Sequence, residues 1–462
     1  MKIPETVLEC IRVLWEAGYP SYLVGGSVRD LLLDREPEDY DIATVATPEQ
    51  VTALFPRVIP TGVEFGTVTV VLDRPLEVTT LRSDGAYRDG RHPSSVKFGC
   101  SVEEDLARRD FTVNAMALNP LTGTLVDPWG GRLDLSNKIL RAVGEPQERF
   151  REDGLRLLRA ARFVSQLGFQ IEEKTLQALM QEAGRLQGVA RERRGHEFSL
   201  LLVGPNVRAA LELLVDTGLM ASLIPELMEG KGLKQGRLHP DDVLGHNIRT
   251  CSLTPPDLKL RLAGLLHDVG KYQGWTEGPY GRYFPGHATR SAALIPEILS
   301  RLCFKKRLIR TVTLLVANHM FFWRAEMGLA PVRRLAARVG WLEFDNVITL
   351  IAADRMSIWG DPQAAGLNEL YEAAAAVKKE HPPLTARELA LTSGEMMSAL
   401  NLTPGPAVGA LRQELLEQVW ENPDLNTRQE LLVRARRLQS QEPSLFSGSS
   451  VLYRHEATKN DN

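Results

Sequence analysis

Short apolar runs that alternate with glycine turns characterise the first 145 residues of the chain. Apolar residues at three- and four-residue spacing over residues 5–17 predict an amphipathic first helix. The run SYLVGG then predicts a buried strand that enters a glycine turn, VRDLLL predicts a helix, and DYDIAT predicts a second strand. Two β-branched runs, GTVTVVL and LEVTTLR, predict further strands. We therefore expect an α/β head that covers residues 1–145.

After the head, helical periods replace the strand patterns almost completely. Glycine and proline interrupt these periods between residues 230 and 240 and again at His381. The predicted architecture is an α/β head with a small mixed sheet, followed by a long all-α neck, body and tail in a multidomain chain. The segments expected after the head are a helical neck at 146–235, a helical domain at 236–383, a helical tail at 384–440 and a disordered end at 441–462.

Charge and cysteine usage narrow the possible functions. The chain has 55 lysines and arginines against 58 acidic residues, a net charge of −3, which excludes a generally basic nucleic-acid-binding surface. Its 4 cysteines are scattered without a CxxC spacing, so we expect neither a disulfide framework nor a thiolate zinc site, and a reducing cytoplasm suits them. The sequence contains no run of about 18 apolar residues. We therefore predict a cytoplasmic protein with no membrane segment and no obligate protein partner.

Two aspartates at the second predicted strand are candidate metal ligands. Asp39 and Asp41 lie two residues apart, so within a strand both carboxylates would point to one face of the sheet. Carboxylates combined with substrate phosphates are the usual ligands of Mg²⁺. Glu77, in a later predicted strand, is a candidate third carboxylate. If these residues stood alone, a solvated DxD at the start of a strand would be the better explanation.

A glycine turn precedes this acidic pair. Gly25 and Gly26 lie between a predicted strand and a predicted helix, where backbone N–H groups can approach a phosphate. Arg29 can donate a charged fork to the same phosphate, and Arg109 adds a further guanidinium. Nucleotidyl transfer requires a phosphate-binding turn beside a carboxylate pair, because metal and triphosphate must meet at one point.

A repeated charge pattern follows the head. Asp153, Arg156, Arg159 and Arg162 recur every three residues, which would place them along one helix face. A carboxylate can accept from the exocyclic amino group of cytosine or adenine while a guanidinium donates to the neighbouring ring atom. Uracil and guanine would present a carbonyl oxygen to the carboxylate and be rejected. The alternative is a surface salt bridge with no role in recognition.

Six segments follow one another in a distinctive order: LVGGSVRDLLL, EDYDIAT, EVTTLR, RRDFTVNAMA, VDPWGG and EDGLRLLR. They resemble the class II tRNA nucleotidyltransferases, the family of bacterial CCA-adding enzymes and their poly(A) polymerase relatives, from about residue 20 to about residue 235 and more loosely to about 435. The resemblance implies that Asp39 and Asp41 hold Mg²⁺ and that Glu77 is a third catalytic carboxylate. It also implies a nucleotide-binding set, with Gly25, Gly26, Arg29 and Arg109 at the triphosphate and Asp153, Arg156, Arg159 and Arg162 at the base.

The same resemblance implies an activity. Such an enzyme adds C, C and A to the 3′ end of tRNA from CTP and ATP without a nucleic-acid template, releases pyrophosphate, and contacts tRNA through its tail. An enzyme that adds only the terminal A and a poly(A) polymerase remain open within the family. The polar loop at residues 84–100 resembles the loop of CCA-adding and A-adding members, whereas residues 193–197 depart from the expected neck sequence.

A second group of metal-binding residue types lies in the predicted helical domain. Its core, AGLLHDVGKY, resembles the HD phosphohydrolases, and the full series is His246, His267, Asp268, His287, His319 and Asp354. Imidazole and carboxylate ligands suit a transition metal such as Mn²⁺, Ni²⁺ or Co²⁺. Each histidine taken alone is also consistent with a structural role. The functional alternatives that follow are a metal phosphohydrolase whose head only binds nucleotide, and a tRNA-binding module without turnover.

Overall fold

The computed structural model describes residues 3–85, 96–237, 239–279 and 281–441. Most of the loop expected at 84–100 and nearly all of the end expected at 441–462 therefore lie outside the described residues. The chain divides into two compact units. The first comprises Met1–Leu233, Pro255–Arg261 and Glu297–Lys306, and the second comprises Lys234–Thr254, Leu262–Pro296 and Arg307–Asn462.

The elements of the first 233 residues are mostly short. The strands are β1 Ser21–Val24, β2 Asp41–Thr44, β3 Val58–Gly62, β4 Thr67–Val71, β5 Pro75–Thr80, β6 Arg82–Asp84, β7 Val96–Phe98, β8 Ala117–Asn119, β9 Thr124–Val126, β10 Ile139–Leu140 and β11 Gln170–Ile171. The helices are α1 Glu5–Glu16, α2 Gly26–Leu32, α3 Pro48–Leu54, α4 Val102–Ala107, α5 Gly131–Asn137, α6 Pro146–Glu152, α7 Leu155–Leu167, α8 Glu173–Glu182, α9 Arg191–Leu202, α10 Val207–Asp216, α11 Leu219–Leu223 and α12 Pro225–Met228.

Helices dominate the remainder of the chain. The elements are α13 Val243–Leu253, α14 Leu258–Leu266, β12 Thr276–Gly278, β13 Gly281–Tyr283, α15 His287–Arg301, α16 Lys306–Ala317, α17 Ala330–Val339, α18 Trp341–Trp359, α19 Leu367–Glu380, α20 Ser393–Leu400, α21 Pro406–Glu421 and α22 Arg428–Gln441.

A mixed sheet of 7 strands forms the centre of the first unit, in the order β3-β4-β5-β2-β1-β8-β9. β2 runs parallel to β5, and every other neighbouring pair in this sheet runs antiparallel. Ile42 and Val78 are buried, whereas Asp41 and Glu77 lie on the exposed face of the same two strands. Because side chains alternate along a strand, Ile42 and Val78 point into the core, while Asp41 and Glu77 point to the opposite face at one end of the strand pair.

The predicted α/β head and helical remainder are confirmed, and the predicted first helix and four predicted strands correspond to α1, β1, β2, β4 and β5. Three strands of the central sheet were missed. β3 is an edge strand that carries Pro60, and β8 contains no β-branched residue, so neither has a typical strand composition. Short strands also occur beyond residue 145, where β11 pairs with β10 and β12 pairs with β13.

Three helices of the first unit, α7, α9 and α10, pack together around fully buried leucines such as Leu157 and Leu211. Ser165 of α7 donates its hydroxyl to the carbonyl oxygen of Leu201 at 2.6 Å and ties α7 to α9. The arginine-bearing side of α7 is thereby fixed with respect to α9.

In the second unit, α13 packs on α18, and Thr250 donates its hydroxyl to Ser357 at 3.1 Å between them. The last three helices share a separate buried cluster that includes Leu415 and Leu431. α19 ends at Glu380, immediately before the predicted proline break. None of the helices in the described part of the chain has the length and apolar character needed to cross a membrane.

Gly195 in the interior of α9 tests how closely this helix packs within the first unit. A Cβ added there would collide with the carbonyl oxygen of Leu302. We expect Gly195→Ala to lower the free energy of unfolding by about 1–3 kcal/mol, because one backbone segment must move. Gly409→Ala inside α21 is the matched control, since its Cβ would have no described atom within 4 Å, and it should be neutral or stabilising by up to about 1 kcal/mol. Urea denaturation followed by circular dichroism measures both; equal effects would contradict the close contact.

Candidate functional site

The three candidate carboxylates meet where β2 and β5 lie side by side. Asp41 is the first residue of β2, and its Cα is paired with that of Glu77 on β5. Neighbouring strands lie about 4.8 Å apart, so the two side chains leave the same face of the sheet close together. The strand begins at Asp41, so Asp39 lies just before β2 and not inside it as expected. Both aspartates nevertheless line one cleft.

Electrostatic repulsion acts among these carboxylates. The walls of the cleft desolvate Asp41 and raise its pKa, while Arg109 opposes this shift and Asp39 adds to it. Desolvation raises the pKa of Glu77 as well, and Asp41 and Asp39 are further causes. Three carboxylates that remain ionised at this position would be stabilised by a bound cation. The residues present therefore fit a hard divalent ion such as Mg²⁺.

The glycine turn leaves space between a carboxylate and a guanidinium. Gly25 has a φ of +71°, and a Cβ added to it would lie 2.9 Å from Nη1 of Arg109 and 3.8 Å from Oδ2 of Asp41. Gly26 begins α2, and its added Cβ would lie 3.5 Å from Nη2 of Arg29. Any side chain at Gly25 would enter the space that separates Asp41 from Arg109. The turn therefore keeps this part of the cleft open.

Acidic and amide side chains hold the two predicted phosphate-binding arginines. Arg29 donates Nε and Nη2 to the two carboxylate oxygens of Asp30, at 2.9 Å each, and donates Nη1 to Oδ1 of Asn114 at 2.8 Å. Arg109 donates Nη2 to Asp105 at 3.3 Å. These contacts fix both guanidinium groups at the wall of the cleft.

The predicted base-reading pair is arranged differently from the expectation. α7 begins at Leu155, so Asp153 precedes the helix and does not share a helix face with the arginines. Arg156 is buried and donates to Glu152 at 2.6 Å and to two main-chain carbonyl oxygens. Asp153 accepts instead from Arg193 of α9, with a shortest distance of 2.7 Å. Arg193 is therefore a cleft residue that the three-residue spacing did not reveal.

Arg159 and Arg162 belong to one buried charge network. Arg159 donates Nε to Asp110 at 2.7 Å, and Glu197 lies 3.6 Å from Arg159 and 3.1 Å from Arg162. Burial would raise the pKa of Asp110, but Arg159 and Arg156 lower it to about 2. Burial and then the neighbouring charge of Arg159 lower the pKa of Arg162 to about 10. The cleft wall thus carries more guanidinium charge than its carboxylates fully offset.

An aromatic ring lies at the centre of this arginine group. The guanidinium carbons of Arg162, Arg159 and Arg29 lie 4.4, 5.4 and 5.5 Å from the ring centroid of Phe163. Cations are attracted to the face of an aromatic ring, so Phe163 helps to orient all three. Periodicity within α7 could not reveal this arrangement, because Arg29 comes from a distant part of the chain.

A single cleft of about 810 Å³ joins these features. Its lining includes ten of the eleven residues predicted in the head and neck, namely Gly25, Gly26, Arg29, Asp39, Asp41, Arg109, Asp153, Arg156, Arg159 and Arg162. Glu77 is not among the lining residues and reaches the group through its pairing with Asp41.

The second unit contains the other predicted group. His246 Nε2 lies 3.0 Å from Nε2 of His267 and 3.0 Å from Oδ1 of Asp354. Oδ1 of Asp268 lies 3.0 Å from Nε2 of His287 and 3.6 Å from Nε2 of His319. Two overlapping sets have ligand atoms within 4.8 Å of one another, His246 with His267 and Asp354, and His267 with Asp268 and His319. The structure therefore brings all six predicted residues together.

Hydrogen bonds at Nδ1 determine what each imidazole offers. Nδ1 of His267, His287 and His319 donates to a backbone carbonyl oxygen at 2.9, 2.7 and 2.7 Å. Ser357 donates its own hydroxyl to a carbonyl oxygen, so it accepts from Nδ1 of His246 at 3.0 Å. In the neutral ring, Nε2 is then an acceptor in all four histidines.

Each of these Nε2 atoms lies close to a carboxylate oxygen or to the Nε2 atom of another histidine. Four Nε2 atoms and two carboxylates converge, and a proton or a metal cation between them would relieve the repulsion. Burial would lower the pKa of His267, but Asp268 and Asp354 raise it to about 10. The group therefore attracts positive charge and fits a transition-metal ion.

A largely apolar cavity of about 1150 Å³ opens onto this group. Phe322 and Tyr283 on its wall are 69% and 53% exposed, which is unusual for such large side chains. Lys271 donates Nζ to Gln235 at 2.7 Å and pairs with Asp268 at 2.5 Å. The cavity thus combines an apolar wall with positive charge beside the six predicted ligands.

Three family descriptions match successive parts of the chain. The Poly A polymerase head domain matches residues 21–141, the probable RNA and SrmB-binding site of polymerase A matches residues 168–230, and the HD domain matches residues 247–358.

Curated relatives match about half of the chain. The CCA-adding enzyme of Geobacillus kaustophilus is 51% identical over 225 residues, which is 48% of this chain and 55% of the relative. The CCA-adding enzyme of Bacillus subtilis is 47% identical over 217 residues, 47% of this chain and 54% of the relative. The chain thus spans about half the length of the curated relatives it matches.

Solved structures match over almost the whole chain. The Bacillus stearothermophilus CCA-adding enzyme in complex with CTP has a TM-score of 0.72 and 30% identity, covering 96% of this chain and 100% of the other. The Thermotoga maritima CCA-adding enzyme complexed with tRNA has a TM-score of 0.62 and 20% identity, covering 94% and 96%, which supports the fold alone.

Repulsion among the carboxylates predicts that Asp41→Asn stabilises the protein when divalent metal is absent. The raised pKa of Asp41 means that the folded state binds its proton more tightly than the unfolded state, so stability is lost as pH rises through that pKa. We therefore expect a higher Tm than that of the wild type near neutral pH in EDTA. The difference should vanish below about pH 3, where carboxyl groups are protonated. Thermal unfolding over a pH series measures it, and a lower Tm of the variant at neutral pH would contradict the repulsion.

Proposed function

The chain belongs to the CCA-adding enzyme family, and on that premise we propose that it adds C, C and A to the 3′ end of tRNA from CTP and ATP, without a nucleic-acid template and with release of pyrophosphate. The observation that carries this proposal is the meeting of Asp39 and Asp41 with the open glycine turn in one arginine-lined cleft, with Glu77 paired to Asp41 on the neighbouring strand. The CTP complex of the similar Bacillus stearothermophilus structure adds support for the nucleotide substrate.

In this proposal Asp39 and Asp41 hold Mg²⁺, and Glu77 is the third catalytic carboxylate. A bound Mg²⁺ supplies charge neutralisation at the phosphates and lowers the proton affinity of the attacking hydroxyl. The glycine turn at Gly25 and Gly26 admits the triphosphate close to the backbone, and its charge is met by guanidinium groups. The tRNA 3′-hydroxyl attacks the α-phosphate, and the bond from that phosphorus to pyrophosphate breaks.

In this proposal the base of the nucleotide binds against the cleft residues that belong to the predicted neck at 146–235. Asp153 accepts from the exocyclic amino group of cytosine or adenine, and Arg156 completes the base edge, supported by Arg159 and Arg162. Arg156 already donates to Glu152 in the structure. To contact the base, Arg156 must therefore use its remaining N–H groups or release Glu152.

The proposed domain roles follow the predicted segments. Residues 1–145 form the nucleotidyltransferase head, 146–235 the neck that binds base and RNA, 236–383 the HD-type domain and 384–440 a tail that contacts tRNA. The 4 free cysteines suit a reducing compartment, and we place the activity in the cytoplasm. No obligate protein partner enters this account.

The extent of addition is tested with three tRNA substrates that end before the CCA, after one C and after two. With CTP and ATP supplied separately and together, we expect the first two to accept C and the third to accept A. Gel analysis of radiolabelled products measures this. Acceptance of the CC-ended tRNA alone would instead identify an A-adding enzyme, and long A tracts would identify a poly(A) polymerase.

Asp39→Ala combined with Asp41→Ala tests the catalytic carboxylates. Loss of the metal ligands removes several kcal/mol of transition-state stabilisation, so we expect incorporation of CMP and AMP to fall by at least about 1,000-fold. Glu49→Gln in α3, at an exposed position that is not among the residues lining the cleft, is the control and should retain activity. Unchanged incorporation by the double variant would contradict the assignment of Asp39 and Asp41 as catalytic metal ligands.

A second candidate function is phosphoester hydrolysis at the HD group. The convergence of four imidazole Nε2 atoms on two carboxylates supports a bound transition metal such as Mn²⁺, Ni²⁺ or Co²⁺. Such a centre would support phosphatase or 2′,3′-cyclic phosphodiesterase activity.

His246→Ala tests this second centre. After dialysis against Mn²⁺ and removal of free ion, we expect the variant to retain at most about a tenth of the bound metal found in the wild type, because loss even of a residue that only orients a ligand costs about 10–100-fold in metal affinity. His196→Ala in α9, an exposed histidine, is the control and should keep full metal content. Metal analysis by mass spectrometry measures the result, and CMP incorporation should be unchanged in both variants. Equal metal in His246→Ala and wild type would contradict the site.

A further inference from the structure

The backbone around Asp153 is restrained independently of the contacts that its side chain makes. It lies in extended conformation between α6 and α7, and the next residue, Gly154, packs against a neighbouring turn. A Cβ added to Gly154 would lie 3.0 Å from the carbonyl oxygen of Arg185. The main chain on this side of the cleft therefore has little freedom to shift.

Two donors then fix the carboxylate. The backbone N–H of Leu155 donates to Oδ1 of Asp153 at 3.0 Å. Arg193 donates Nη2 to Oδ2 at 2.7 Å and Nη1 to Oδ1 at 3.3 Å, so its fork meets both oxygens. A guanidinium that meets a carboxylate in this two-point way sets the orientation of the carboxylate plane.

The remaining hydrogen-bonding capacity of Asp153 is small and specific. An ionised carboxylate has about four acceptor positions, two on each oxygen. Leu155 and Arg193 together occupy both positions on Oδ1 and one on Oδ2. One acceptor position on Oδ2 is left, and Asp153 is 18% exposed on the cleft wall.

Arg156 cannot perform the same positioning. Its Nη1 donates to Glu152 and to the carbonyl oxygen of Arg149, and its Nη2 donates to the carbonyl oxygen of Arg108. The guanidinium that orients Asp153 therefore comes from α9, 40 positions along the chain.

We propose that Arg193 is a specificity-determining positioning residue, which aims the single free acceptor position of Asp153 at the exocyclic amino group of the incoming nucleotide. This inference rests on the proposed function. An amino group at that position donates to Asp153, whereas the carbonyl oxygen of uracil or guanine meets a lone pair and is repelled. Without Arg193 the carboxylate can rotate, and the difference between the two kinds of base becomes smaller.

The test compares CTP with UTP on a tRNA that lacks the CCA end. For Arg193→Gln we expect the ratio of kcat/KM for CTP to that for UTP to fall at least about 10-fold, because one well-made base contact discriminates by that order. The loss should appear mainly as a higher KM for CTP. Arg193→Lys, which keeps the charge without the fork, should give an intermediate ratio. Arg191→Gln, at an exposed position two residues earlier in α9, should match the wild type.

A purely structural role would give a different result. A ratio within twofold of the wild type in Arg193→Gln, with both nucleotides slowed equally, would overturn the inference. If Arg193→Gln fails to fold, as judged by circular dichroism, Arg193→Lys decides the question, and an unchanged ratio in that variant overturns the inference.

Failure of the inference is distinguishable from failure of the proposed function. A wild type that incorporates neither CMP nor AMP would refute the function. Calorimetric binding of CTP and UTP without tRNA would then still test Arg193, because the lost preference for CTP must appear in the dissociation constants. Equal preference in wild type and Arg193→Gln would overturn the inference there too.

Discussion

The parallel pairing of β2 with β5 is the constraint on which the head depends. It places Asp41 directly beside Glu77 on an exposed sheet face, with Asp39 immediately before the strand. The same pairing buries the alternate residues of both strands, so the acidic face cannot move without disturbing the core. Charge repulsion is therefore built into the sheet, and it creates a position where a divalent cation is stabilised. The glycine turn and its arginines are arranged around that position.

A second consequence concerns the arginines of the cleft. Free guanidinium groups would be mobile, but those of Arg29, Arg109 and Arg159 are each held by a carboxylate. Such preorganisation lowers the entropy lost when an anion binds. Under the proposed function, the fixed pairs leave the arginines in place before the nucleotide arrives. The histidines of the second unit are also preorganised. Backbone carbonyl oxygens and Ser357 accept hydrogen bonds from their Nδ1 atoms, so their Nε2 atoms face one another.

The sequence predicted the elements that have strong local signals. The amphipathic first helix, the β-branched strands and the turn at Gly25 are each encoded by adjacent residues, and all were found. β8 was missed because its stability comes from its partners β1 and β9 and not from its own composition. The carboxylate group was predictable because Asp39 and Asp41 lie two residues apart in sequence and Glu77 lies on a recognisable strand.

The contacts made by the residues proposed to read the base were not predictable in the same way. The three-residue spacing suggested that Asp153 and Arg156 share a helix face, but helix α7 begins only at Leu155. The partner of Asp153 is Arg193, and no periodic pattern can link residues separated by 40 positions through tertiary packing. Phe163 was overlooked for the same reason, since the cations around it come from two separate segments.

The account is tested most directly by diffraction from crystals that contain CTP and Mn²⁺ in place of Mg²⁺. It predicts an anomalous peak bound by Asp39 and Asp41, with the triphosphate of CTP against Gly25 and Gly26. A triphosphate bound elsewhere, or a cleft in which no ion contacts either aspartate, would contradict it.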